Sequence, residues 1–143
     1  MMGTEINQRQ VKYPTQHFGY PDGAYLASGA ATPLLWVGGG IGFYVNQGDG
    51  NYLEYAVNCK GGEKRVFTPL AKRTNAAIVD CYLNGTLVAA GLDQYAASGI
   101  RYVHLYPVTL KAGRNILRIK ANGKNPLSSG YAIFTGACYA RGT

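Results

Sequence analysis

The sequence predicts an all-β chain: an antiparallel β-sandwich of the jelly-roll kind, preceded by an extended N-terminal arm. Three observations predict it. Residues 51–120 carry successive runs in which apolar and polar side chains alternate with period two. Turn chemistry punctuates these runs at spacings of roughly 8–12 residues, the rhythm of small sandwiches. No long window carries the 3.6-residue period of a helix. Twenty Gly and twelve Tyr among 143 residues, against two Met, agree with strands joined by tight turns. The length sets one domain, able to bury roughly two-thirds of its unfolded surface.

Taken in order, residues 1–23 read as the arm and 24–143 as the sandwich. From Ile6 to Gln16 the chain is mostly polar, and Tyr13-Pro14 and Tyr20-Pro21-Asp22-Gly23 mark extended or turn geometry. Residues 24–46 give short apolar runs broken by glycine: Ala24-Tyr25-Leu26-Ala27, Leu34-Leu35-Trp36-Val37 and Ile41-Gly42-Phe43-Tyr44-Val45. Gly38-Gly39-Gly40 is a flexible loop. It lacks the following helix and the Lys with Ser or Thr that a phosphate-cradling loop needs.

From residue 51 the alternation is clean. Leu53, Tyr55, Val57 and Cys59 share one face, and Tyr52, Glu54, Ala56 and Asn58 the other. Arg65-Val66-Phe67 is a short strand. Val79, Cys81 and Leu83 point inward, with Asp80, Tyr82 and Asn84 outward. Asn84-Gly85 closes a two-residue hairpin, the strongest short-range hairpin signal. Residues 102–106 form a further strand. Lys111-Ala112-Gly113-Arg114 is a turn into a strand with Leu117 and Ile119 inward and Ile116 and Arg118 outward. Residues 131–140 form the last strand.

Charge and cysteine usage restrict the possible functions. Residues 1–93 hold seven acids and seven bases, whereas residues 94–143 hold no acid and seven bases, so the whole formal charge of +7 sits in the last third. Such a field favours an acidic partner surface or nucleic acid. Cys59, Cys81 and Cys138 are odd in number, widely spaced and flanked by apolar residues, which reads as buried free thiols. The first residues lack the basic start and apolar run of a signal peptide, and no stretch approaches the ~18 apolar residues of a membrane span. The expectation is a protein made in a cytoplasm with no membrane partner.

A family resemblance rests on three segments in order: Gly48-Asp49-Gly50-Asn51-Tyr52-Leu53-Glu54-Tyr55-Ala56-Val57-Asn58, Asp80-Cys81-Tyr82-Leu83-Asn84-Gly85, and Val108-Thr109-Leu110-Lys111-Ala112-Gly113-Arg114-Asn115-Ile116-Leu117-Arg118-Ile119. Together they resemble the β-sandwich carbohydrate-binding modules of families 6 and 35 over residues 20–140. The resemblance implies the last segment to be a hairpin. It also implies a structural calcium, held by an acidic opening strand and an Asn-x-Asp before the last strand. This chain has Glu5-Ile6-Asn7-Gln8 and Leu127-Ser128-Ser129-Gly130-Tyr131 at those places. The Asn that would touch sugar and the Asp that would bind calcium are both missing.

No catalytic constellation is present. His17 and His104 lie far apart with no nucleophile elbow, and the seven carboxylates are scattered, so no acid–base pair, zinc site or cofactor is expected. Nucleic acid is argued against by the lack of any recognisable motif. The remaining readings are two. The first is a structural virion protein, a capsid cement or decoration protein of a tailed bacteriophage, whose fold resembles these modules. Its partners would be the major capsid protein and further copies of itself, as a dimer or trimer. Arg9, Lys12, Tyr13 and Tyr20 of the arm, with Arg101, Arg114 and Arg118 of the basic third, would carry the interface. It would be located in the virion, assembled in a host cytoplasm. The alternative is a non-catalytic carbohydrate-binding module in which Trp36, Tyr44 and Tyr131 stack on sugar rings.

Overall fold

The computed structural model describes residues 15–19, 23–25, 31–32, 35–36, 43–46, 48–136 and 138–142. Among the described residues thirteen strands follow one another: β1 Thr15–Gly19, β2 Gly23–Tyr25, β3 Ala31–Thr32, β4 Leu35–Trp36, β5 Phe43–Val45, β6 Tyr52–Cys59, β7 Gly62–Lys72, β8 Ile78–Leu83, β9 Thr86–Asp93, β10 Ile100–Leu110, β11 Gly113–Ala121, β12 Ile133–Thr135 and β13 Cys138–Gly142. Two antiparallel sheets result. The six-stranded sheet runs β3-β2-β6-β11-β8-β9. The seven-stranded sheet runs β1-β13-β7-β12-β5-β4, with β10 on the remaining side of β7. Among the described residues no helix is long and apolar enough to cross a membrane.

The predicted sandwich is therefore present, and so is the predicted alternation at the described side chains; those of Val57 and Cys59 lie outside them. Leu53, Tyr55, Val79, Cys81, Leu83, Leu117 and Ile119 of the six-stranded sheet meet Val66, Leu70, Tyr106, Ile133 and Cys138 of the other in one core. Each fully buried Leu, Ile or Val contributes ~1.5–3 kcal/mol. The core also holds hydroxyls, each with a partner. The Tyr55 hydroxyl lies 2.7 Å from Thr135 Oγ1 and 2.8 Å from the Gly136 carbonyl. Thr135 Oγ1 donates to the Pro69 carbonyl at 2.9 Å, and Thr68 Oγ1 lies 2.9 Å from the Tyr106 hydroxyl. Cys81 and Cys138 are buried free thiols, as expected.

The last strand, read over residues 131–140, is two, β12 and β13, and four further features differ from the sequence reading. Part of the expected arm is a strand: Thr15–Gly19 pairs antiparallel with β13 and supplies the backbone partner that its outer edge would otherwise lack. The segment around residues 108–119 is not a hairpin, because β10 pairs with β7 in one sheet while β11 pairs with β6 and β8 in the other. Its turn is an arch between sheets. The short strand at Arg65 extends to eleven residues and runs through Pro69. Pro69 fits there because its partner changes: β13 pairs with Lys64 to Phe67 and β12 with Leu70, so no ladder bond is lost. Asp80, outward in the alternation, is buried. A register shift in β9 brings the Gly91 amide onto its Oδ1 at 2.9 Å, and Asn122 Nδ2 donates to Oδ2 at 2.8 Å.

The Asn84-Gly85 hairpin is as predicted, with φ of 52° and 85° at its two residues, the type I′ geometry. Asn84 does more than turn the chain. Its Oδ1 accepts from the Ile116 amide at 2.8 Å, and its Nδ2 donates to Asn115 Oδ1 at 3.0 Å. The tip of the β8–β9 hairpin is thereby fastened to the start of β11.

Candidate functional site

The outer face of the six-stranded sheet carries the most developed side-chain arrangement. Period-two geometry places Tyr52 and Glu54 of β6, Ile116, Arg118 and Lys120 of β11, and Tyr82 of β8 on that face. Register aligns them in rows. Glu54 lies opposite Arg118, which lies opposite Tyr82; Tyr52 lies opposite Lys120, which lies opposite Asp80.

Within the first row, Arg118 is fixed from two sides. Its Nε and Nη2 donate to Glu54 Oε2 at 2.8 and 2.6 Å. Its guanidinium carbon stands 4.0 Å from the centroid of the Tyr52 ring. The pair is partly open to solvent, with side-chain exposures of 39% for Arg118 and 18% for Glu54. The ion pair therefore contributes ~0.2–1 kcal/mol and the cation–π contact a similar amount. Their larger effect is to hold a long, rotamer-rich side chain in one position.

Beside this pair a depression of about 240 Å³ opens between Glu54, Tyr82, Gly85, Ile116, Arg118 and Lys120. Gly85, the second residue of the hairpin, forms part of its wall. Ile116 supplies an apolar patch, Tyr82 a half-buried ring with a hydroxyl, Lys120 an ammonium and Glu54 a carboxylate. Among the described residues, the Tyr82 hydroxyl, Lys120 Nζ and Glu54 Oε1 have no protein hydrogen-bond partner. The site thus combines a fixed guanidinium with three open polar groups, and has no nucleophile–base pair.

The sequence-predicted site residues are spread over the molecule. Arg9, Lys12, Tyr13 and Tyr20 lie outside the described residues. Arg118 is in the site just described, and Arg114 stands at the start of the same strand, exposed. Arg101 is on β10 in the opposite sheet, so the three arginines do not form one patch. Trp36 and Tyr44 are placed by backbone register alone: Trp36 pairs with Phe43 and Tyr44 with Leu35. Tyr131 is half-buried against the core, and its carbonyl accepts from Asn51 Nδ2 at 3.3 Å. Glu54, Ile116 and Lys120 were not singled out by the sequence reading. Opposite charges at outward positions of β6 and β11 were the available signal, but they lie far apart in the chain and only register brings them together.

Among the described carboxylates Asp49 and Asp93 are engaged by protein donors, while Glu5 and Asp22 lie outside the described residues. Among the described residues no three His, Cys, Asp or Glu gather into a metal site. Asp49 Oδ1 accepts from the Gly123 amide at 2.8 Å, and Asp93 accepts from the Tyr95 amide at 2.9 Å and Asn125 Nδ2 at 2.8 Å. Where the resemblance implies Asn-x-Asp, the Ser128 hydroxyl donates to the Ala76 carbonyl at 2.7 Å, and the Lys124 ammonium donates to the Ser128 carbonyl at 2.8 Å. A side-chain cation and a hydroxyl hold this segment. His104 rests against Tyr106, 5.6 Å between ring centroids, and burial lowers its pKa; the His17 side chain lies outside the described ones.

No protein-family model matches the chain, and no curated protein matches its sequence. Solved structures do. A Paenibacillus xanthan lyase is similar over 86% of this chain at 22% identity with a TM-score of 0.68, and the chain spans only 13% of that lyase. The CBM36-1 domain of a multidomain xylanase from the hindgut metagenome of Trinervitermes trinervoides is similar over 90% of this chain and 98% of its own length, at 12% identity and a TM-score of 0.58. The family 35 module from Paenibacillus barcinonensis is similar over 90% of this chain and 98% of its own, at 21% identity and a TM-score of 0.55. The likeness is one of fold: the antiparallel β-sandwich of this chain is similar to that of carbohydrate-binding modules of families 35 and 36.

Proposed function

We propose that the chain is a non-catalytic carbohydrate-binding domain that holds a glycan against the outer face of its six-stranded sheet. The depression beside Arg118 carries this reading. Sugar recognition needs a small apolar surface for the ring face and fixed donors and acceptors for its hydroxyls. Ile116 and Tyr82 supply the first. Glu54 Oε1, Lys120 Nζ, the Tyr82 hydroxyl and the Arg118 guanidinium supply the second. At about 240 Å³ the depression is below the size of drug-binding clefts, which suits one ring or the edge of a longer chain. The similarity to whole carbohydrate-binding modules supports the same reading over a cement protein of a phage shell.

Calorimetric titration of the protein with a panel of soluble neutral and acidic oligosaccharides tests the proposal. Saturable binding that Tyr82→Ala and Arg118→Ala weaken is expected. No binding across the panel would sink it. Binding that both variants leave intact, with a shift in the fluorescence of Trp36, would move the site to the loops around Trp36, Tyr44 and Tyr131.

A further inference from the structure

β10 is an eleven-residue edge strand. Its register with β7 is unbroken from Ile100 to Leu110, with no bulge, and among the described residues no strand pairs with its other side. Proteins guard such edges with charges, bulges or covering segments. β10 carries a single Arg or Lys, Arg101, and a single Pro, Pro107. At its centre the outward residues are apolar and open: Val103 is 54% exposed and Leu105 is 45% exposed. Behind them on β7 stand Phe67, opposite Leu105, and Pro69, opposite Val103. Phe67 stacks on Tyr139 of β13 with ring centroids 4.7 Å apart, so the apolar surface continues inward from the edge.

We propose that β10 is a self-association edge, occupied by β10 of a second copy running antiparallel. Three features favour a copy of this chain over another partner. The strand is self-complementary about its middle: Ile100–Leu110 centres on Leu105, so full overlap sets Leu105 against Leu105 and Val103 against Pro107. The backbone offers the needed groups. Pro107 has no N–H, so its ladder position must face away from β7, and residues 101, 103, 105 and 109, of the same parity, turn their amides and carbonyls to the open side. In that register only Pro107 withholds a donor. The charges also match. Glu63 sits opposite Thr109 on β7, on the same outer face as Arg101. A two-fold about Leu105 brings Arg101 of one copy beside Thr109 of the other, with Glu63 next to it, and symmetry repeats this pair at the other end. A depression of about 400 Å³ between Glu63, Lys64, Pro107, Val108 and Thr109 leaves room there for the incoming arginine side chain.

Sedimentation equilibrium of the full chain tests this. A reversible dimer is expected. Leu105→Lys sets like charges on the two-fold and abolishes it. Arg101→Glu and Glu63→Lys each raise the dimer Kd about fivefold or more, and the double reversal brings it back towards the wild-type value. All three positions are exposed, so thermal melts should be nearly unchanged. A wild-type chain that is monomeric at every concentration, leaving the edge to another partner or to solvent, overturns the proposal. So does a dimer that survives Leu105→Lys and ignores both reversals. The edge lies in the sheet opposite the depression beside Arg118, so failure here leaves the glycan reading untouched.

Discussion

Gly61 and Ala112 meet backbone to backbone: a Cβ placed on Gly61 would lie 2.9 Å from the Ala112 nitrogen and 2.9 Å from the Leu110 carbonyl oxygen. The two residues belong to the two arches that carry the chain between sheets, from β6 to β7 and from β10 to β11. The sandwich is closed at this end by peptide against peptide, without intervening side chains. Gly61 also has φ of 94°, in the region that L side chains avoid.

Gly61→Ala should therefore destabilise by roughly 3 kcal/mol or more, because backbone strain and a clash with unyielding backbone add. Gly62 is the control. Its φ is 108°, but nothing lies within 4 Å of an added Cβ, so Gly62→Ala should cost only the strain, about 1–2 kcal/mol. Urea melts of the two variants measure the difference. Equal losses would show that the contact between arches carries no energy.

The second arch is tied by Asn115, whose side chain is fully buried. Its Nδ2 donates to the carbonyls of Lys111 and Gly113, and its Oδ1 accepts from the Lys111 amide and from Asn84 Nδ2. Asn115→Leu removes every one of these part-buried bonds, at about 1 kcal/mol each. A loss of roughly 3 kcal/mol or more is expected in the same melts. A loss below about 1 kcal/mol would mean that water replaces the side chain.

The inward Leu53 and Tyr55, and Val79, Cys81 and Leu83, were legible in the sequence because a half-buried strand must write its burial with period two. The hairpin at Asn84-Gly85 was legible because few residue pairs accept positive φ twice. Which strands share a sheet was not. A turn between two alternating runs reads the same whether the runs pair with each other or part to opposite sheets, so residues 108–119 resembled a hairpin while forming an arch. The site was half legible for a related reason. Outward Tyr52, Tyr82 and Arg118 could be found from alternation, but the Glu54–Arg118 pair depends on long-range register, which no local pattern encodes. Asp80 was misread because a bulge in a neighbouring strand, invisible in its own, covers it.

The core should make the protein labile to alkali. Burial pushes the thiols of Cys81 and Cys138 up to about 12 from an ordinary 9.0, and pushes the phenols of Tyr55 and Tyr106 well above 10.0. A group raised in the folded state contributes its full stability below its unfolded pKa and loses it as pH rises through the folded one. Stability should hold to about pH 9, then fall as the unfolded chain releases thiol protons, and fall faster above about pH 10 as phenols join, each group adding up to ~1.4 kcal/mol per pH unit. Urea midpoints between about pH 8 and about pH 11 measure the slope. Cys81→Ala lowers the starting stability through its cavity but should flatten the slope above pH 9. A slope unchanged by that substitution would show that Cys81 is not a source of the lability.

Arg118 separates binding from folding. Its pair with Glu54 and its contact with Tyr52 are partly exposed, so Arg118→Ala should lower stability by no more than about 2 kcal/mol. If the guanidinium orients a sugar hydroxyl, the same substitution should weaken glycan affinity about tenfold, the worth of a charge-assisted hydrogen bond. Arg118→Lys keeps the charge but loses the planar fork that holds both Glu54 and the tyrosine face, so it should recover little of the affinity. Calorimetric titration beside a thermal melt distinguishes the outcomes. Full recovery by lysine would reduce the role of Arg118 to charge alone. Loss of the cooperative melt in Arg118→Ala would make the row Glu54–Arg118–Tyr82 a structural element of the sheet and leave the glycan to be held elsewhere.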